Sequence, residues 1–317
     1  MRGLWLEDRR LRVRDDLPVP EPPPGEARIR VTIAGLCHTD LELVRGYYPY
    51  AGVLGHEFVG VVDRAPSDPV WEGRRVVGEI NATCGACPTC LAGRSSHCER
   101  RTVLGIVRRD GAFADYLTLP LANLHAVPDG VPDDVAVFTE PVAAAFQILA
   151  QLRIDARDRV VVFGDGKLGQ VIAQVLATTG CALTVIGRHP RKLAHLAARG
   201  IATQVDPPAP RSADVVVDCT GRREGLQAAL AALRPRGTLV LKSTFAGDTA
   251  VNLSAIVVDE ITIVGSRCGP FAPALAALAS GAVVVAPMVE ARLPLADAVD
   301  AIARAESPGT LKVLLVP

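Results

Sequence analysis

The chain has 317 residues, of which 34 are basic and 34 acidic, with 49% hydrophobic and only 4% aromatic side chains. This balance leaves no basic footprint for nucleic acid or an anionic membrane, and too few aromatic rings for a base- or sugar-stacking surface. No run approaches 18 uninterrupted apolar residues and the start MRGLWLEDRRLRVRDD lacks the apolar segment of a signal peptide, so a cytoplasmic protein of two domains is expected, whose reducing surroundings favour metal over disulfides at clustered thiols.

Up to about residue 130 the chain carries short β-forming runs broken by turn signals: ARIRVTIAGL, FVGVVDRA, RRVVGEI and AFADYLTLP. From about Asp158 the texture changes to strand–helix alternation. RVVVFG, ALTVIG, DVVVDCTG, GTLVLKS and ITIVGSR read as buried strands, with KLGQVIAQVLATTG and PRKLAHLAARG as helices between them. Apolar strands of four to six residues separated by helices imply a doubly wound parallel sheet covered on both faces, an α/β architecture. The tail adds a helix, PLADAVDAIARAE, and a last strand, LKVLLVP.

CGACPTCLAGRSSHC holds four of the eight cysteines: Cys84, Cys87 and Cys90 stand three apart, and Cys98 follows after seven intervening residues. Two-residue gaps let thiolates converge on one small cation, and Gly85, Pro88 and Gly93 let the chain wrap it. Four sulfur ligands without an open position describe a structural zinc site. A redox pair would need a thioredoxin-like strand and helix around it, and a nucleic-acid knuckle would need phosphate-binding charge. This sequence offers neither.

VVVFGDGKLGQVIAQ places Gly164, Gly166 and Gly169 after a strand and at the opening of a helix. In that setting the first glycine makes the tight turn, the second admits a pyrophosphate, and the third lets helix and sheet pack closely. Lys167 and Leu168 open the helix, whose N-terminus offers free N–H groups to phosphate. At the end of the next strand an NAD site carries an acid for the ribose 2′-hydroxyl. Here Gly187 takes that place, followed by Arg188 and, nearby, Arg191, which predicts a preference for NADP over NAD.

GLCHTDLEL, VLGHEFVG and FTEPVAAAF supply a second set of metal-binding side chains: Cys37, His56, Glu57 and Glu140. These stretches, the cysteine loop and the strand–helix half together resemble the zinc-dependent medium-chain dehydrogenase/reductase family of alcohol, polyol and threonine dehydrogenases, over essentially the whole chain. The resemblance implies a β-rich, chaperonin-10-like catalytic domain at 1–141 and 270–317, and a Rossmann domain at 142–269. It implies two zinc ions, a structural one on the four clustered cysteines and a catalytic one on Cys37, His56 and Glu140. Glu57 is implied as a neighbour able to approach or replace a ligand. Thr39 matches the hydroxyl that relays the substrate proton, and Asp40 the carboxylate that orients the ligand histidine. Glu42 stands where some relatives continue the proton wire through a histidine. Thr220 and Ser266 match loops that flank the nicotinamide. Lys242 fits either the nicotinamide or substrate side or a subunit surface.

The implied activity is reversible oxidation of a secondary alcohol, polyol or sugar-like substrate to a carbonyl, in a homodimer or homotetramer, with no nucleic-acid or membrane partner. A non-catalytic dinucleotide-binding sensor that retains the fold is the alternative, and metal content distinguishes the two.

Overall fold

A computed structural model describes residues 1–243 and 249–317, and in it the two textures of the sequence separate into two units. The first comprises Met1–Glu140 and Met288–Pro317, the second Pro141–Pro287.

The first unit is built on strands β1 (Glu26–Gly35), β2 (Glu57–Arg64), β3 (Arg75–Gly78), β4 (Tyr116–Pro120) and β5 (Leu124–Ala126), joined by two strands from beyond the second unit, β12 (Val289–Pro294) and β13 (Lys312–Val316). Their order is β5-β3-β2-β1-β13-β12, and β4 pairs with β1 as well. In β1 the alternate residues Ala27, Ile29, Val31 and Ile33 are buried, the period of two expected when one face covers a core. The register sets Gly35 opposite both Glu57 of β2 and Leu314 of β13, and the N–H of Leu36 donates to Val313 at 3.0 Å. The C-terminal strand is thereby fastened beside the Cys37 segment, and helix α1 (His38–Val44) begins there.

Helix α2 (Thr139–Gln151) leads into the second unit. There β6 (Arg159–Phe163), α3 (Lys167–Ala177), β7 (Ala182–Ile186), α4 (Pro190–Ala197), β8 (Ala202–Gln204), β9 (Ala213–Asp218), α5 (Arg223–Ala232), β10 (Leu233–Leu241), α6 (Leu253–Val258), β11 (Thr262–Gly265) and α7 (Phe271–Ala279) follow in turn. The strands form one parallel sheet in the order β8-β7-β6-β9-β10-β11, the doubly wound arrangement expected. Val161, Phe163, Val216 and Leu239 pack with Leu226 and Ala229 of α5, which explains why these strands read as continuous apolar runs.

The boundary lies at 287/288 rather than at 269/270. The Gln174 side chain in α3 accepts the Val284 N–H at 2.7 Å and donates to the Val284 carbonyl at 3.0 Å, tying the segment after α7 to the second unit. Among the described residues no helix is long and apolar enough to cross a membrane.

Candidate functional site

Cys37 is the extended residue that opens α1, and its N–H donates to Asp40 Oδ2 at 2.8 Å. The other oxygen of Asp40 lies 3.2 Å from His56 Nδ1. One fully buried carboxylate therefore bonds the Cys37 main chain and lies within ion-pair distance of the His56 ring, although Oδ1 and Nδ1 make no hydrogen bond to each other. Gly55, just before His56, has φ +96°, and an added Cβ would meet the Phe113 ring at 2.4 Å, so only glycine brings His56 this close. The ligand atoms of Cys37, His56 and Glu57 all lie within 4.8 Å of one another. Glu140, in the first turn of α2, stands outside that group. Thr39 Oγ1 is 3.8 Å from the Cys37 sulfur. Burial opposes a charged His56, but Asp40 and then Cys37 outweigh it and push the ring well above its usual range in the metal-free protein. A soft thiolate, an imidazole and a carboxylate, converging without a fourth ligand side chain in the group, fit a zinc ion whose fourth position is left for another ligand.

Glu57 has a partner that the sequence reading missed. Lys312, the first residue of β13, contacts Glu57 Oε2 and donates to the Leu36 carbonyl at 3.3 Å, and its ammonium lies 5.1 Å from the Phe138 ring centre. Both charged side chains are only 1% exposed. The signal was a lone lysine at the head of the apolar strand LKVLLVP, but its partner, 255 residues away, becomes visible only through the pairing of β13 with β1.

The four clustered cysteines close into a ring, with sulfur separations of 3.4 Å (Cys98–Cys84), 3.5 Å (Cys87–Cys90), 3.7 Å (Cys87–Cys98) and 4.0 Å (Cys84–Cys90). Disulfides need about 2.05 Å. A tetrahedron with metal–sulfur bonds of about 2.3 Å has edges of about 3.8 Å, so the spacing suits one zinc ion. The thiols are not equivalent: main-chain N–H groups of Ala86 and Cys87 pull Cys84 down to about 6, whereas burial and the neighbouring sulfurs push Cys90 up to about 12. Arg100 donates to the Cys84 sulfur at 3.3 Å.

In the second unit, Gly164 has φ +121°, and a Cβ on Gly169 would lie 2.0 Å from the Gly164 carbonyl, so both glycines are required by the turn itself. Gly166 is different. Its Cβ would enter open space, and helix α3 begins at the next residue, where Gly166 supplies no side-chain cap. An open glycine at a helix start suits the close approach of a pyrophosphate. Arg188 and Arg191 are both exposed. Gly187 is buried, with Asp165 packed against it. The Thr220 hydroxyl donates to Asp218 at 2.7 Å, and Ser266 accepts from Lys242 at 3.2 Å. Lys242 also donates to the carbonyls of Ala144 and Arg267, which makes it an internal fastener of this unit.

Residues 23–129 match the family described as "Alcohol dehydrogenase GroES-like domain", and residues 168–281 the one described as "Zinc-binding dehydrogenase". The chain is 31% identical to the sorbitol dehydrogenase of Halalkalibacterium halodurans over 94% of each chain. It belongs to the zinc-dependent medium-chain dehydrogenase/reductase family. Two solved structures cover the whole of this dehydrogenase and 99% of their own chains, each with a TM-score of 0.91. One is a zinc-binding dehydrogenase from Sinorhizobium meliloti 1021 bound to NADP, 28% identical; the other is a short chain alcohol dehydrogenase from Escherichia coli CFT073 complexed with NADH, 27% identical. The protein is accordingly a zinc-dependent, NAD(P)-dependent oxidoreductase of the alcohol dehydrogenase class.

Proposed function

We propose that this dehydrogenase oxidises a polyol or sugar-like secondary alcohol with NADP as the preferred coenzyme, its first unit serving catalysis and its second the coenzyme. The observation that carries the reading is the convergence of Cys37, His56 and Glu57 with Asp40 behind the first two. The catalytic shell is assigned to Cys37, His56 and Glu140, with Glu57 in reserve. Cys84, Cys87, Cys90 and Cys98 hold the second, structural ion. When bound, zinc supplies Lewis acidity toward the substrate oxygen and NADP supplies the hydride acceptor.

The chain's own residues do the rest. Asp40 bonds the Cys37 main chain and lies within ion-pair distance of the imidazole, which limits where a substrate oxygen can bind. The Thr39 hydroxyl, two residues after Cys37, relays the substrate's hydroxyl proton, accepting it while giving up its own to solvent as the hydride departs, leaving a carbonyl. Beyond Thr39 the proton route differs from a histidine wire, because Glu42 occupies that place. Gly187 and Arg188 favour the 2′-phosphate, and Thr220 and Ser266 are assigned to the nicotinamide end. The polyol assignment draws on Glu140 and on the sorbitol dehydrogenase relative.

Homodimerisation is supported by the sheet edge, where Ile263 of β11 and Leu253, Val257 and Val258 of α6 are exposed. Eight unpaired cysteines agree with a cytoplasmic location.

Metal analysis with a polyol panel tests the assignment. Two zinc ions per chain are expected, falling to one in His56→Ala with loss of nicotinamide reduction. Retention of both ions in that variant refutes the catalytic shell, and coenzyme binding without turnover of any alcohol favours the sensor.

A further inference from the structure

The glycine-rich turn carries an acid, Asp165, to which the coenzyme reading gives no task. Its Oδ2 accepts the main-chain N–H groups of Arg188 and His189, each at 2.7 Å, and His189 Nδ1 lies 3.0 Å from both of its oxygens. The Asp165 side chain is 9% exposed and that of His189 44%. A Cβ on Gly187 would stand 2.6 Å from Asp165 Cβ and Oδ2. Asp165 therefore fills the space that an acid at the end of β7 would occupy, and this, rather than turn geometry, explains the glycine there. Burial alone would raise the Asp165 carboxyl, but the His189 main chain and ring and the Arg188 N–H outweigh it and hold it below the usual carboxylate range. An acid that serves ribose hydroxyls must offer them free oxygens, whereas Oδ2 here already accepts two main-chain N–H groups and Oδ1 lies against the His189 ring nitrogen.

We propose that Asp165 is the positioning residue of a ribose 2′-phosphate receptor, in which it fixes Arg188 and His189 as the two basic groups that meet the phosphomonoester. This rests on the coenzyme reading above and extends it to a residue pair outside the usual strand-end position. By accepting both main-chain N–H groups, Asp165 sets the direction in which the Arg188 side chain leaves the backbone. With Nδ1 against the carboxylate, Nε2 of the half-exposed His189 ring is the nitrogen left to meet the phosphate. The Arg188 guanidinium makes no ion pair among the described residues, so its donors are available to the same phosphate.

Calorimetric titration of the full-length protein with 2′,5′-ADP and with 5′-AMP tests the pair without turnover. Asp165→Asn keeps an oxygen for the two main-chain N–H groups but removes the charge behind the ring. His189→Gln, at a half-exposed side chain, gives a second reading should the loop tolerate the first change poorly. The unaltered protein should prefer 2′,5′-ADP, and each variant should cut that preference about tenfold while affinity for 5′-AMP stays within about twofold, as expected for loss of a charge-assisted contact to the extra phosphate. If both ligands weaken in parallel, or the preference is unchanged in both variants, Asp165 is a loop fastener only and the inference fails while the coenzyme reading stands. Equal affinity of the unaltered protein for the two nucleotides overturns both.

Discussion

Replacing Lys312 by methionine keeps an unbranched side chain of similar reach but removes the ammonium that faces Glu57. Both partners are 1% exposed, so water cannot take over the lost contact. Truncating one member of a buried ion pair costs about 3–5 kcal/mol, because the other charge stays buried and uncompensated. Loss of the ammonium over Phe138 falls within the same figure. Lys312→Met should therefore destabilise the metal-free first unit by about 3–5 kcal/mol, whereas Lys312→Met combined with Glu57→Gln should recover to within about 1–2 kcal/mol of the parent, since neutralising both partners removes the stranded charge. Urea unfolding followed by tryptophan fluorescence isolates the effect, because the chain's two tryptophans, Trp5 and Trp71, both belong to that unit. Zinc should shrink the loss by giving the Glu57 carboxylate a cation. A cost under about 1 kcal/mol for the single change, or a double variant as unstable as the two single changes added, would refute the idea that this pair neutralises itself.

The glycine loop gives a paired test: Gly166→Ala should leave thermal stability nearly unchanged while weakening coenzyme binding, whereas Gly169→Ala, with its Cβ 2.0 Å from a carbonyl, should destabilise the second unit by more than about 2 kcal/mol. Cys87→Ala should release one zinc ion and lower the melting temperature, with the nucleotide affinities of the second unit unchanged in calorimetry. The raised His56 ring predicts pH behaviour of definite sign. Its contribution to the metal-free protein is fully present below the usual histidine range and fades as pH rises through the higher folded-state value, so zinc, which must displace that proton, should bind more tightly at about pH 8 than at about pH 6 in chelator competition.

The parallel sheet and the four-cysteine loop were legible because each depends on local pattern: unbroken Val-rich strands, and thiols whose spacing already forces convergence. The bond from the Cys37 main chain to Asp40 is local in the same way, spanning three residues. What stayed hidden depends on pairing across long stretches. Lys312 meets Glu57 only because β13 lies against β1, and Asp165 meets His189 only because β6 and β7 are neighbours in the sheet. Gly187 was read as a missing acid, a gap on the strand, when the space it leaves is filled by an acid from the adjacent turn. The 270–287 stretch looked like tail because its attachment includes side-chain bonds from Gln174 to Val284 and from Arg199 to Gly281 and Ala282, and neither residue bears an outward mark in its own segment.

The interleaving of the two units dictates an order of assembly on the ribosome. Every strand of the parallel sheet has been synthesised by Gly265, so that sheet can close while Lys312 is still untranslated. The Glu57 carboxylate must wait through that interval without its counter-charge. A newly made chain thus passes through a stage in which its nucleotide-binding half is complete and its metal-binding half still lacks a strand, the period when scavenging of the wrong cation, or attack by a protease, has its best opportunity.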